Sequence, residues 1–72
     1  MFNFGERLKQ IRQERNLTQK QFAELIGTTE RGIRHYESGE REPAFHVIIS
    51  ILDNVNVDAN YLLGRTDTPH SA

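Results

Sequence analysis

Between Leu17 and Gly39 the chain starts and stops two short helices with its own side chains, and this punctuation constrains the fold more than any other feature. Thr18 is a good N-cap, and Gln21 stands where its amide can bond back to the cap, the reciprocal arrangement of a capping box. Leu17 before the cap and Phe22 at the fourth helical position form a hydrophobic staple across it. Gly27 can supply the left-handed residue that ends the helix. Thr29 then caps a second helix that ends near Ser38, with Gly39 as its stop.

Helical signals continue on both sides. A first helix is expected from about Phe4 to Arg15, with Phe4, Leu8 and Ile11 on one stripe and Arg7, Lys9, Gln10 and Arg12 off it. A fourth runs from about Ala44 to Val55, where Phe45, Val47, Ile48, Ile49, Ile51, Leu52 and Val55 cover a wide apolar arc. A short fifth is capped by Asp58, ended by Gly64, and carries Ala59, Tyr61, Leu62 and Leu63. No run alternates strictly between apolar and polar residues, so no strand is expected. The predicted fold is all-α with five helices, a domain over residues 1–64 and a polar tail over residues 65–72. Leu8, Ile11, Leu17, Phe22, Ala23, Ile26, Ile33, Tyr36, Ile48 and Leu52 are the expected core. The apolar excess of helix four, with Tyr61 and Leu62, suits an interface, and a homodimer through helices four and five is expected on that ground.

Composition removes several function classes. The 72 residues contain no cysteine, which excludes disulfides and thiolate metal sites. His35, His46 and His70 show no ligand spacing, so neither metal nor cofactor is expected. Ser38, Ser50 and Ser71 have no recognisable base or oxyanion partner, so no enzyme is expected. No leader or membrane-spanning stretch is apparent, and the expected location is the cytoplasm, that of a bacterial host if the chain is phage-encoded.

The net charge is −1, but it is unevenly spread: residues 1–42 hold eight Lys/Arg against seven Glu, and residues 43–72 hold Arg65 against Asp53, Asp58 and Asp67. Sequence-independent attraction to a polyanion should therefore be weak. The third helix nevertheless sorts its residues. With Glu30 at zero, Arg34, Ser38, Arg31 and His35 fall at roughly 40, 80, 100 and 140°, while Tyr36 and Ile33 fall at roughly 240 and 300°. One face is polar and hydrogen-bonding; the other anchors the helix. Gly32 costs that helix about 1 kcal/mol, and either close approach to a ligand or simple tolerance accounts for it.

The stretch Gln19 to Tyr36 resembles the Cro/phage-repressor (XRE-type) helix-turn-helix. Ala23 sits where two helices cross closely, Gly27 at the turn and Ile33 where the recognition helix plugs into the core, with Ile26 and Tyr36 completing the apolar contacts. The surrounding words match too: Leu17-Thr18-Gln19, Tyr36-Glu37-Ser38-Gly39, Arg41-Glu42-Pro43 and Leu62-Leu63-Gly64. The resemblance covers about Gly5 to Gly64 and implies a five-helix lambda-repressor-like domain. It further implies a transcriptional regulator of a phage-type switch whose partner is a double-stranded DNA operator.

By that resemblance the third helix lies in the major groove with Glu30, Arg31, Arg34 and His35 at base edges. An arginine can donate two bonds to guanine, a glutamate can accept from cytosine, and His35 can bond to a purine edge. Gln19, Thr29, Ser38 and Arg41 would hold phosphates, and Arg12 and Glu37 match an internal ion pair of the family. The sequence departs from the family pattern in its acidic Glu30, in the carboxylates of Glu40 and Glu42, and in Asn54 and Asn56, of which Asn56 can still take a left-handed turn. The small size, the full-chain match and these acidic positions also resemble the modulator-of-repression proteins of temperate phages. In that alternative, Glu30, Arg31, Arg34, His35, Glu40 and Glu42 form a protein interface that docks on a partner repressor and blocks its DNA binding.

Overall fold

The order of elements is α1 (Phe4–Glu14), α2 (Gln19–Ile26), α3 (Glu30–Ser38), α4 (Phe45–Asn54) and α5 (Ala59–Leu62). This computed structural model describes residues 1–69, with no strand among them; the last three positions of the expected tail, His70 and Ser71 included, lie outside the described residues.

The caps form as local chemistry requires. The Thr18 hydroxyl accepts from the Gln21 N–H at 3.0 Å, and the Gln21 side-chain carbonyl accepts from the Thr18 N–H at 2.9 Å. Gly27 ends α2 in the left-handed region at φ 74°. The Thr29 hydroxyl accepts from the Gly32 N–H, and Gly39 closes α3 at φ 84°. A Thr18→Ala variant is expected to lose about 1 kcal/mol, as for similar caps. That loss would appear as a melting midpoint lower by roughly 4–8 °C for a domain of this size. An unchanged midpoint would mean that the reciprocal bonds contribute nothing.

Asn3, not foreseen as a cap, accepts from the Glu6 N–H and starts α1. Asn16 takes the left-handed turn after α1 at φ 57° and is the one non-glycine residue with positive φ among those described. Asn56 therefore does not take the left-handed turn open to it. Val55 leaves α4 in an extended conformation, and the Asn56 carbonyl instead accepts from the Arg15 guanidinium.

α3 packs against both α1 and α2, while α4 lies on α2 and α5 on α1. The core comprises Leu8, Ile11, Phe22, Ala23, Ile26, Ile33, Val47, Ile51, Val55, Tyr61 and Leu62. Leu17, Tyr36, Ile48 and Leu52, expected within it, are half-buried and pack against its edge. The shift on α4 has a physical reason. Its apolar residues cover more than half of the helix circumference, opposite His46, Ser50, Asp53 and Asn54. The sequence therefore does not say which part of that arc faces inward, and tertiary contacts set it. Ser50, which donates to the Ile26 carbonyl at 2.6 Å, is one of them. Val47, Ile51 and Val55 then face inward, while Phe45 remains 79% exposed. Tyr61 and Leu62 are 3% and 0% exposed and belong to the core, not to an outer interface; α5 folds them inward, and the Tyr61 ring covers Arg7.

Arg7, one of the residues off the α1 stripe, fastens the two ends of the domain together. Its guanidinium lies 4.1 Å from the Tyr61 ring centroid and 5.1 Å from that of Phe2. It donates to the Tyr61 and Thr66 carbonyls and to the Asp67 carboxylate, the last at 2.8 Å. Residues 65–67 are thus tied back to α1 beyond the boundary expected at Gly64.

Candidate nucleic-acid interface

The candidate surface is built from its buried side outward. Ile33 is fully buried and Tyr36 half-buried, which fixes the rotation of α3. Glu37, on the same side near the helix end, is the one buried charged residue among those described. Its carboxylate takes two bonds from Arg12, from Nε at 2.6 Å and from Nη2 at 3.0 Å. The two side chains are only 11% and 5% exposed. Arg12 also donates to the Leu17 carbonyl at 2.9 Å, and the Gln19 amide donates to Glu37 at 3.2 Å. One guanidinium and one carboxylate therefore lock α1, the start of α2 and the end of α3 into a fixed relation. Buried charges persist only when paired and hydrogen-bonded in this way.

On the opposite side, Glu30, Arg31 and Arg34 are exposed. Arg34 Nη2 lies 3.9 Å from Glu30 Oε2, one helical turn apart, with the side chains 58% and 49% exposed. His35 does not join them fully. Its side chain is 18% exposed and its Nε2 lies 3.8 Å from Glu40 Oε2. The loop after Gly39 turns back over the helix end: the Arg41 N–H and the Ser38 hydroxyl both donate to the His35 carbonyl, and the same hydroxyl reaches Glu40 at 3.3 Å. The structure thus divides the expected site. Glu30, Arg31 and Arg34 share an open face, His35, Ser38 and Glu40 form a cluster at its end, and Arg41 and Glu42 lie exposed beyond it.

Gln19 stands at the first position of α2, half-buried, with one amide N–H given to Glu37. Thr29 uses an oxygen lone pair for its cap and keeps its hydroxyl proton for donation. Gly32 has a local explanation. A Cβ there would lie 3.1 Å and 3.2 Å from the Thr28 and Thr29 hydroxyl oxygens. Among the described residues no group of three or more metal-ligating side chains comes together, and no helix is long and apolar enough to cross a membrane.

Two elements of the site's support were not anticipated. Gly5 lies at the crossing of α1 with the end of α3, and the link from Glu37 to Gln19 ties the expected internal ion pair to the candidate phosphate contact. A glycine one turn before Leu8 on a helical stripe was the signal available for the first. Nothing in the sequence signals the second.

A family described as "Helix-turn-helix domain" matches residues 5–68. The chain is 38% identical over 60 residues to the uncharacterized HTH-type transcriptional regulator YqaE of Bacillus subtilis (strain 168), covering 83% of this chain and 52% of that protein. It is 32% identical over 65 residues to the HTH-type transcriptional regulator ImmR of the same strain, covering 90% and 51%. It is 36% identical over 63 residues to the cryptic phage CTXphi transcriptional repressor RstR of Vibrio cholerae, covering 88% and 56%. The chain spans about half the length of these curated relatives. Among solved structures, the P22 c2 repressor in complex with a synthetic operator superposes with a TM-score of 0.78 at 21% identity, covering 86% of this chain and 94% of that one. The solution structure of the P22 c2 DNA-binding domain gives 0.77 at 23%, covering 88% and 86%. At these identities the likeness shows a common fold.

Proposed function

Because the chain belongs to the helix-turn-helix domain family, we propose that it is a transcriptional regulator of a phage- or prophage-type switch that binds operator DNA through α3. The observation that carries this is the open face of Glu30, Arg31 and Arg34 on a capped helix anchored by Ile33, with the start of α2 bound to its far end through Glu37. Relatives named as transcriptional regulators, one of them a phage repressor, favour operator DNA over a partner repressor as the ligand.

In this proposal α3 enters the major groove, Arg31 and Arg34 read guanine, and Gln19, Thr29 and Arg41 hold backbone phosphates. Ser38 would have to release the His35 carbonyl to meet a phosphate, and His35 would have to leave Glu40 to reach a base. With a net charge of −1, affinity rests more on placed contacts than on bulk attraction. Two copies would meet a palindromic site through Phe45 and Ile49 of α4 and Leu63 just after α5, the large exposed apolar side chains of that region. No catalytic step enters, and the site of action is the cytoplasm, where the operator lies.

Selection of binders from a randomised duplex pool at low salt tests the proposal, and failure to retain any sequence would sink it. Against a selected site, Arg31→Ala is expected to cost roughly 1–3 kcal/mol and to relax preference at one base pair. Gln19→Ala should weaken binding about equally on selected and random duplexes. Equal loss on both duplexes for Arg31→Ala would remove Arg31 from the base-reading set.

A further inference from the structure

We infer that Glu30 and Arg34 act as one coupled reader of a single G·C pair in a fixed orientation, with Arg34 donating to guanine and Glu30 accepting from the paired cytosine. The inference rests on the operator reading above and specifies what that operator contains.

An ionised carboxylate only accepts hydrogen bonds, and a guanidinium only donates them. A carboxylate on a DNA-reading face is repelled by phosphates and by every acceptor on the groove floor. The major groove offers it two donors, the cytosine and adenine amino groups, and confronts it with acceptors at guanine and thymine. Glu30 is therefore a filter on the base it faces, whatever else it does.

Geometry joins that filter to Arg34. The facing tips of the two side chains lie 3.9 Å apart, and about half of each side chain is open to solvent. Along the major-groove edge of a G·C pair, guanine N7 and O6 accept and the neighbouring cytosine amino group donates. O6 and that amino nitrogen are themselves hydrogen-bonded partners, so they stand about 3 Å apart. A guanidinium beside a carboxylate is the complement of this row in charge, hydrogen-bonding sense and spacing. An A·T pair offers acceptor, donor, acceptor, which leaves the carboxylate or the guanidinium facing its own kind. A reversed C·G pair presents the right groups in the wrong order.

The pairing also explains how an acidic residue is tolerated on this face. Glu30 is the first residue of α3, where the helix dipole favours a carboxylate, and a glutamate one turn ahead of an arginine is the favourable order. Arg34 supplies the positive charge that shields Glu30 from phosphates. Without Arg34, Glu30 is an uncompensated anion in a polyanionic groove.

The test uses the full 72-residue chain and the sites enriched by selection. Binding is measured to the best site and to its variants at each position, for the parent chain and for E30Q, R34A and the E30A/R34A double variant. Both substituted positions are exposed, and thermal melts check that each variant is folded. For the parent, one position should require G·C in one orientation, with roughly a 5- to 100-fold loss for any replacement, the range of a good bidentate contact. E30Q should flatten that position while leaving the others unchanged, because an amide both donates and accepts. R34A should bind random duplex more weakly than the double variant does, since removing Glu30 relieves the unshielded charge. An unchanged preference profile for E30Q would overturn the inference while leaving operator binding intact, and so would a double variant that binds random duplex no better than R34A. Enrichment of no sequence at all would overturn the operator reading, and this inference with it.

Discussion

Replacing Glu37 with alanine is expected to cost about 3–5 kcal/mol of folding stability, the usual result of removing one member of a buried ion pair. The variant leaves the Arg12 guanidinium 11% exposed, without the carboxylate that takes two of its bonds, and leaves the Gln19 amide without its acceptor. Small domains have stabilities of order 5–15 kcal/mol, so little would remain. Urea unfolding followed by helical circular dichroism measures the loss, and a change below about 1 kcal/mol would show that the pair behaves like one on the surface. The double replacement Arg12→Met with Glu37→Leu separates stability from function. Removing both charges together eliminates the unpaired guanidinium, so most of the stability should return. DNA affinity should not return with it, because Gln19 would still lack the group that orients its amide. Full recovery of affinity would mean that the Glu37–Gln19 bond contributes nothing to binding.

The parts of this fold that were legible in the sequence are those determined by neighbours in the chain. Thr18 with Gln21, Thr29, Gly27 and Gly39 specify the starts and stops of α2 and α3 by chemistry that spans four residues at most, and all of these caps form. The sorting of Arg31 and Arg34 away from Ile33 follows from helical geometry alone, whereas Glu30, roughly 60° from Ile33, stands at the first position of the helix. What escaped depends on what lies opposite. Arg7 reads as a surface residue on an amphipathic helix, and only the arrival of Tyr61, Thr66 and Asp67 from the other end of the chain makes it a fastening. The rotation of α4 cannot be read closely from an apolar arc that covers more than half of the helix, even with His46, Ser50, Asp53 and Asn54 on its polar side. His35 and Ser38 lie at the expected angles, yet the loop beyond Gly39 draws them toward Glu40. No periodicity signals where a loop will fold back.

Gly5 is another residue whose role depends on its opposite number, and Gly5→Ala is expected to destabilise the chain by about 3 kcal/mol, the upper end of the usual range for overpacking. A Cβ at this position would lie 2.5 Å from the Glu37 carbonyl oxygen, 2.6 Å from that of Tyr36 and 2.9 Å from the Glu37 carbonyl carbon. All three are backbone atoms, so no side chain can swing aside; α1 must move away from the end of α3. Alanine's better helix propensity returns at most about 1 kcal/mol, too little to offset the clash. The movement would also pull on the Arg12–Glu37 pair that spans the same two helices, so affinity for a selected operator should fall together with the melting midpoint. Gly32→Ala is the internal comparison. Its new Cβ would meet the Thr28 and Thr29 hydroxyls at 3.1 Å and 3.2 Å; these side chains can give way, but moving Thr29 loosens the cap of α3 and offsets the same propensity gain. Its net effect should stay within about 1 kcal/mol. Thermal melts of the two variants should therefore differ by roughly 8 °C or more. Equal midpoints would mean that α1 and α3 slide past one another freely, contrary to a seam held by a guanidinium and carboxylate at 2.6 Å.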